Sequence, residues 1–200
     1  MAEIKIVRFK KQAPLPHKNT KLVLLGLTPG ARQHKAVDEA EYARFGAFEG
    51  TMRPVIFRYC EELGINKFFE ITTIPGLYED RRFDRIVYTT SLLRDPVYYG
   101  NGKNYTGRSP YPWNHEKLRS MMEQTFERLS HIKQPCLIMP MGDVVSEAIR
   151  DYSDLDTQHF VLHGFPHPSG SNGHKEKKFI EHFDSLKRVF NRYKRDVRSQ

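Results

Sequence analysis

Lys21-Leu22-Val23-Leu24-Leu25-Gly26-Leu27-Thr28, followed at once by Pro29-Gly30, is the stretch that decides the fold. Its apolar residues run unbroken instead of alternating with polar ones, and it stops at a turn signal. That pattern belongs to a strand buried on both faces, which requires helices above and below a parallel sheet. Downstream, Met52, Val55, Ile56, Tyr59, Cys60 and Leu63 recur at helical spacing, and Gly64 is a natural stop. Residues 68–74 (FFEITTI) and 86–93 (IVYTTSLL) read as strands rich in β-branched and aromatic residues, and Asn114 as the cap of a helix running toward His131. Residues 136–141 (CLIMPM) form another buried strand, Gly142 opens a short helix, and residues 159–165 (HFVLHGF) alternate like a strand. A final helix over 175–200 carries Phe179, Phe183, Leu186, Phe190, Tyr193 and Val197 on one face. Strands alternating with helices predict an α/β, three-layer α/β/α sandwich around a mainly parallel sheet of about four to five strands. No repeat or linker interrupts the pattern, so residues 1–200 are expected to form one domain, entered through a charged arm over 1–20.

Composition narrows the function classes. The chain has 200 residues, 38% apolar and 28% charged, enough to bury roughly 70% of its unfolded surface without disulfides or metal staples. Two cysteines, Cys60 and Cys136, exclude an iron–sulfur cluster or a Cys-rich zinc site. No apolar run approaches the roughly 20 residues that cross a bilayer, and the N-terminus lacks a secretory pattern, so the expectation is a cytoplasmic, monomeric protein without a membrane partner. Lys plus Arg number 32 and Asp plus Glu 24, and the net charge of +8 favours a polyanionic partner, nucleic acid before membrane. The nine basic residues against four acids in 175–200 are equally the mark of a solvated helix face.

Ligands of parallel sheets sit beyond the carboxyl ends of the strands, and three unusual segments fall there. In Gly26-Leu27-Thr28-Pro29-Gly30 the glycines allow close backbone approach and Thr28 offers a hydroxyl, although a plain strand-to-loop turn explains the motif as well. His167-Pro168-Ser169-Gly170-Ser171-Asn172-Gly173-His174 sets an imidazole beside a rigid proline and then small polar groups suited to phosphates. His167 there can donate to an oxygen that gains negative charge; a solvated turn with a surface histidine is the ordinary alternative. Phe48, in GAFEG, can present its ring to a ligand, and residues 95–113 interleave Tyr98, Tyr99, Tyr105, Tyr111 and Trp113 with glycines, Lys103 and Arg108. Such a loop can stack bases or fold its aromatics back onto the body. No HExxH zinc helix, Gly-rich Lys-Ser/Thr phosphate loop or GxSxG elbow occurs.

Taken in order and spacing, GLTPG, the Phe48 segment, VYTTSLL, LIMPMG and GFPHPSGSNGH resemble the uracil-DNA glycosylase superfamily, and look closest to its small bacterial branches with a G-x-x-P-G first motif. The resemblance covers about residues 21–190. It implies a three-layer α/β/α protein that cleaves the bond between a base and its deoxyribose, without a cofactor or metal. Transferred by position, the catalytic histidine falls on His167, the water-activating residue on Thr28, the base-stacking aromatic on Phe48 and the base-reading asparagine on Ser91. Gly26 and Leu27 are then expected beside the base, and Pro29, Gly30, Pro168, Ser169, Gly170, Ser171, Asn172, His174 and Lys175 on the DNA. His167 and Phe48 match the family pattern, whereas Thr28 and Ser91 depart from it. Thr28 is a poor proton acceptor, so either water attack needs little base assistance or a carboxylate such as Glu49 or Asp38 substitutes. Ser91 offers one hydroxyl where an amide would offer a donor and an acceptor, which relaxes uracil reading and leaves room for a modified cytosine. The expected reaction is hydrolysis by a monofunctional DNA glycosylase, in repair or in defence against modified invading DNA; the alternative is an inactive DNA-binding module of the same fold.

Overall fold

A computed structural model describes residues 3–9, 14–31, 33, 35, 46–170 and 172–199. The decisive run forms strand β2 (Leu22–Gly26), every residue of it buried. Beside it lie β3 (Val87–Ser91) and β5 (Leu137–Pro140), with β6 (Phe160–Val161) at the edge. The four are parallel, in the order β3-β2-β5-β6. Period-two alternation sends neighbouring side chains of β2 and β5 to opposite faces. Leu22, Leu24, Leu137 and Met139 enter one apolar cluster, and Val23, Leu25 and Ile138 the other.

Helices cover both faces. On the first lie α1 (Met52–Leu63), α2 (Ile65–Phe69), α3 (Ile74–Tyr78) and the long α7 (Lys175–Ser199). On the second lie α4 (Glu116–Leu129), α5 (Asp143–Tyr152) and α6 (Leu155–Gln158). Gly64 ends α1 with φ 78, as the sequence predicts, and α7 buries Phe179, Leu186, Phe190 and Tyr193.

Three local readings are corrected. Residues 68–74 are no strand. Phe69 closes α2 beside the buried Ile65, the chain reverses at Glu70 (φ 59), and Thr73 caps α3 by accepting the Gly76 N–H at 3.0 Å. The aromatic enrichment that suggests a strand serves a helix-side cluster, in which Phe68 and Phe69 pack edge to face at 5.0 Å. Asn114 does not cap α4; it ends a short 3₁₀ turn (Pro112–Asn114), and the cap position falls on His115 with no side-chain bond. The strand expected over 159–165 shrinks to Phe160–Val161, because Gly164 at φ 88 and Pro166 turn the chain away.

The N-terminal arm has a task that the sequence does not reveal. Within it, β1 (Ile4–Ile6) pairs antiparallel with β4 (Val97–Tyr99), inside the aromatic loop. Val7 N–H donates to the Pro96 carbonyl and Gly100 N–H to that of Glu3, at 2.9 and 2.8 Å, so the arm pins the loop to the body.

Candidate active site

Register brings the site together. Gly26 of β2 pairs with Ser91 of β3, and Leu25 with Pro140 of β5, so all three strands end at one level. Beyond those ends lies a cavity of about 440 Å³, within the range of small-ligand pockets. The first motif supplies Gly26, Leu27, Thr28 and Gly30 to its wall, the middle strand Ser91, and the last loop His167, Ser169 and Asn172. Phe48 completes the set.

Each of these side chains is held by an identifiable contact. A Cβ built on Gly26 would lie 3.1 Å from Phe48 Cε1 and 3.5 Å from Ser91 Oγ, so the phenyl edge covers the end of β2. Phe48 has φ 51, a strained value for a side chain of this size. Arg53, 8% exposed, secures the turn. Its Nε donates to the Ala47 carbonyl at 3.0 Å, its guanidinium pairs with Glu79 at 2.7 Å and Glu49 at 3.3 Å, and it lies 4.6 Å from the centre of the Tyr78 ring. Nothing in the local sequence singles out that arginine.

Thr28 turns its hydroxyl to the backbone: Oγ1 donates to the Asp95 carbonyl at 3.1 Å and accepts the Val97 N–H at 3.0 Å. Its proton is therefore engaged in holding the 95–97 segment against the first motif, leaving one lone pair.

His167 is half-buried, and loss of solvation lowers its pKa below the ordinary value of 6.5. Nδ1 accepts the Ser169 N–H at 3.3 Å, which assigns the proton of the neutral ring to Nε2. The imidazole rests on Gly142, whose φ of 99 and missing side chain admit it; a Cβ there would sit 3.1 Å from His167 Cβ. Asn172 organises the loop, donating from Nδ2 to the His167 carbonyl at 2.9 Å and accepting the His174 N–H at 3.3 Å.

Other expected positions fall outside the wall. Pro29 and Pro168 are buried behind it, and Gly170, His174 and Lys175 lie away from it, Gly170 facing Thr51. Ser171 and Asp38 lie outside the described residues. Glu49 is not among the residues that line the cavity, and its carboxylate pairs with Arg53. The aromatic loop mostly folds onto its own body. Tyr111 and Trp113 stack at 4.8 Å, Trp113 stacks on Tyr152 at 5.1 Å, and of the loop's rings only Tyr105 reaches the wall, its hydroxyl bound to the Pro110 carbonyl.

The wall also contains polar residues that motif reading passes over: Gln33, Asn104, Arg108, Asp143 and Lys178. Gln33 is 8% exposed and its amide makes no hydrogen bond among the described residues. Lys178 Nζ meets Asp143 Oδ2 at 2.6 Å and Arg108 approaches the same oxygen at 3.8 Å. The one available signal was position, since Asp143 directly follows the strand-turn glycine. Among the described residues no group of three His, Cys, Asp or Glu can hold a metal, and no helix is long and apolar enough to cross a membrane.

Fold and cavity together define a parallel-sheet α/β protein with a candidate ligand pocket at the carboxyl ends of three strands. The chain belongs to the family of the uncharacterized protein YoxB of Bacillus subtilis (strain 168); the two are 31% identical over a match covering 86% of this chain and 73% of that protein. No protein-family model matches it. Among solved structures, wild-type SMUG2 of Pedobacter heparinus is similar with a TM-score of 0.48 and 12% identity, over 86% of this chain and 77% of that one.

Proposed function

We propose that this protein is a monofunctional DNA glycosylase of the uracil-DNA glycosylase superfamily, hydrolysing the N-glycosidic bond of uracil or a modified cytosine to leave an abasic site. One observation carries the reading: His167, Thr28, Phe48 and Ser91, from four distant segments chosen on the sequence, line a single cavity. The net charge of +8 supports DNA as the polyanion.

In this mechanism the target nucleotide leaves the stack, at a cost of a few kcal/mol, and its base enters against the Phe48 ring. Ser91 and the amide of Gln33 meet its polar edge, the amide supplying the donor and acceptor that Ser91 alone lacks. As the bond to the sugar breaks, negative charge gathers on the base. The neutral His167 ring donates from Nε2–H to a base carbonyl oxygen, and the burial that lowers its pKa preserves this protonation state near neutrality. Ser169 and Asn172 sit beside it, on a loop suited to the flanking phosphates. The protein acts as a cytoplasmic monomer of one domain and needs no cofactor, in base-excision repair or against modified bases of invading DNA.

A second reading, a DNA-binding module without chemistry, is favoured by the engaged proton of Thr28. Duplexes carrying labelled uracil or modified cytosines decide between them. Excision by the wild type, lost in His167→Ala with DNA affinity kept, is the expected outcome; absence of abasic sites on every duplex, with tight DNA binding, establishes the module instead.

A further inference from the structure

The proposed hydrolysis needs a group that receives the water's proton and faces the positive charge growing on the sugar. Three candidates fall away on geometry, and Asp38 lies outside the described residues. Thr28 Oγ1 has its proton on the Asp95 carbonyl and already accepts from Val97 N–H. Glu49 is outside the cavity wall and paired with Arg53. His167 accepts at Nδ1 from Ser169, which leaves its Nε2 as a donor.

Among the described residues that line the cavity, Asp143 is the only acid. It stands one residue beyond Gly142, the glycine against which the His167 ring rests. Its two oxygens are unequal. Lys178, at 2.6 Å, and Arg108, at 3.8 Å, both approach Oδ2, while Oδ1 accepts no hydrogen bond among the described residues. One oxygen is anchored from the C-terminal helix and the aromatic loop, on a residue that lines the cavity.

We infer that Asp143 is the catalytic carboxylate of this site: through Oδ1 it holds the attacking water and faces the sugar cation. This inference rests on the glycosylase reading. In the step, the C1′–N bond breaks with its electron pair leaving on the base, where His167 N–H steadies the charge. The water oxygen bonds to C1′, and its proton passes to Asp143 Oδ1 and from there to solvent. Lys178 and Arg108 are positioning residues, fixing the carboxylate by its other oxygen.

The test measures single-turnover excision and DNA affinity separately, on whichever duplex the wild type cleaves. Asp143→Asn keeps the shape and removes the charge; its rate is expected to fall about 10²-fold or more, with the dissociation constant for uncleaved duplex within about threefold of wild type. Asp143→Glu restores a carboxylate and is expected to recover at least about tenfold of that loss. The inference is overturned if Asp143→Asn excises within about threefold of wild type, if its affinity falls as far as its rate, or if Asp143→Glu is as slow as Asp143→Asn. An active wild type with an equally active Asp143→Asn removes only this carboxylate from the mechanism. A wild type inactive on every duplex removes the glycosylase reading, and this inference with it.

Discussion

Gly142 is where backbone conformation and the candidate chemistry meet, and Gly142→Ala measures both. Its φ of 99 with ψ of 167 lies in a region open essentially to glycine alone. The conformation cannot relax freely, because its N–H donates to the carbonyls of Pro140 at 3.1 Å and Phe165 at 3.0 Å. Holding an alanine there costs about 1–3 kcal/mol. The new methyl would meet His167 Cβ at 3.1 Å and Cδ2 at 3.6 Å, so the imidazole must give by a few tenths of an ångström or the loop must shift. For a chain of this length each kcal/mol is worth about 2–4 °C, so the melting temperature is expected to fall by roughly 2–12 °C. Displacement of the donor from the leaving base is expected to slow excision by up to about 10²-fold. Gly173→Ala is the control: it lies in the loop that follows His167, its φ is not left-handed, and a Cβ there meets nothing within 4 Å. Calorimetry and single-turnover excision on both variants check the reasoning. If Gly142→Ala melts with Gly173→Ala, the strain argument is refuted; if it melts lower yet excises at the wild-type rate, Gly142 does not position His167.

Two further outcomes follow from the same geometry. Burial lowers the pKa of His167 and of His159 below 6.5, so on acidification the unfolded chain takes up these protons before the folded one. Stability is therefore full above pH 6.5 and declines as the pH falls below it. Urea unfolding between those conditions is expected to show a flatter decline in His159→Gln and His167→Gln; an unchanged slope in the double variant speaks against both shifts. Thr28→Val leaves the Val97 N–H and the Asp95 carbonyl without their shared hydroxyl, at an expected loss of about 1–3 kcal/mol, whereas Thr28→Ser keeps the bonds and nearly all the stability. Equal denaturation midpoints for the two variants would show that the hydroxyl does not latch the loop.

The legible part of this protein was written in local patterns. An unbroken apolar run such as residues 22–25 has no face to offer water, so it forces a central strand and helices on both sides, whatever else the chain does. The heptad-like spacing in 175–200 and the Gly64 stop are equally local, and both appear where spacing puts them. His167 stood out because it opens a glycine- and proline-rich loop, and Phe48 because it sits between two glycines. Residues 68–74 misled because β-branched and aromatic residues also suit short helices packed edge-on against a cluster, and only the neighbours decide which. Tertiary structure alone decided which polar groups face the cavity and which are already bound. Thr28 looks free on paper and is engaged at both ends; Glu49 lies next to Phe48 and points to Arg53; Asp143, Gln33 and Lys178 belong to no motif and line the wall. Such assignments depend on hydrogen-bond partners far away in the chain, set by strand register and by how the N-terminal arm pins the 95–113 loop. Apolar periodicity reports what a segment must bury, whereas the availability of a side chain depends on everything packed around it.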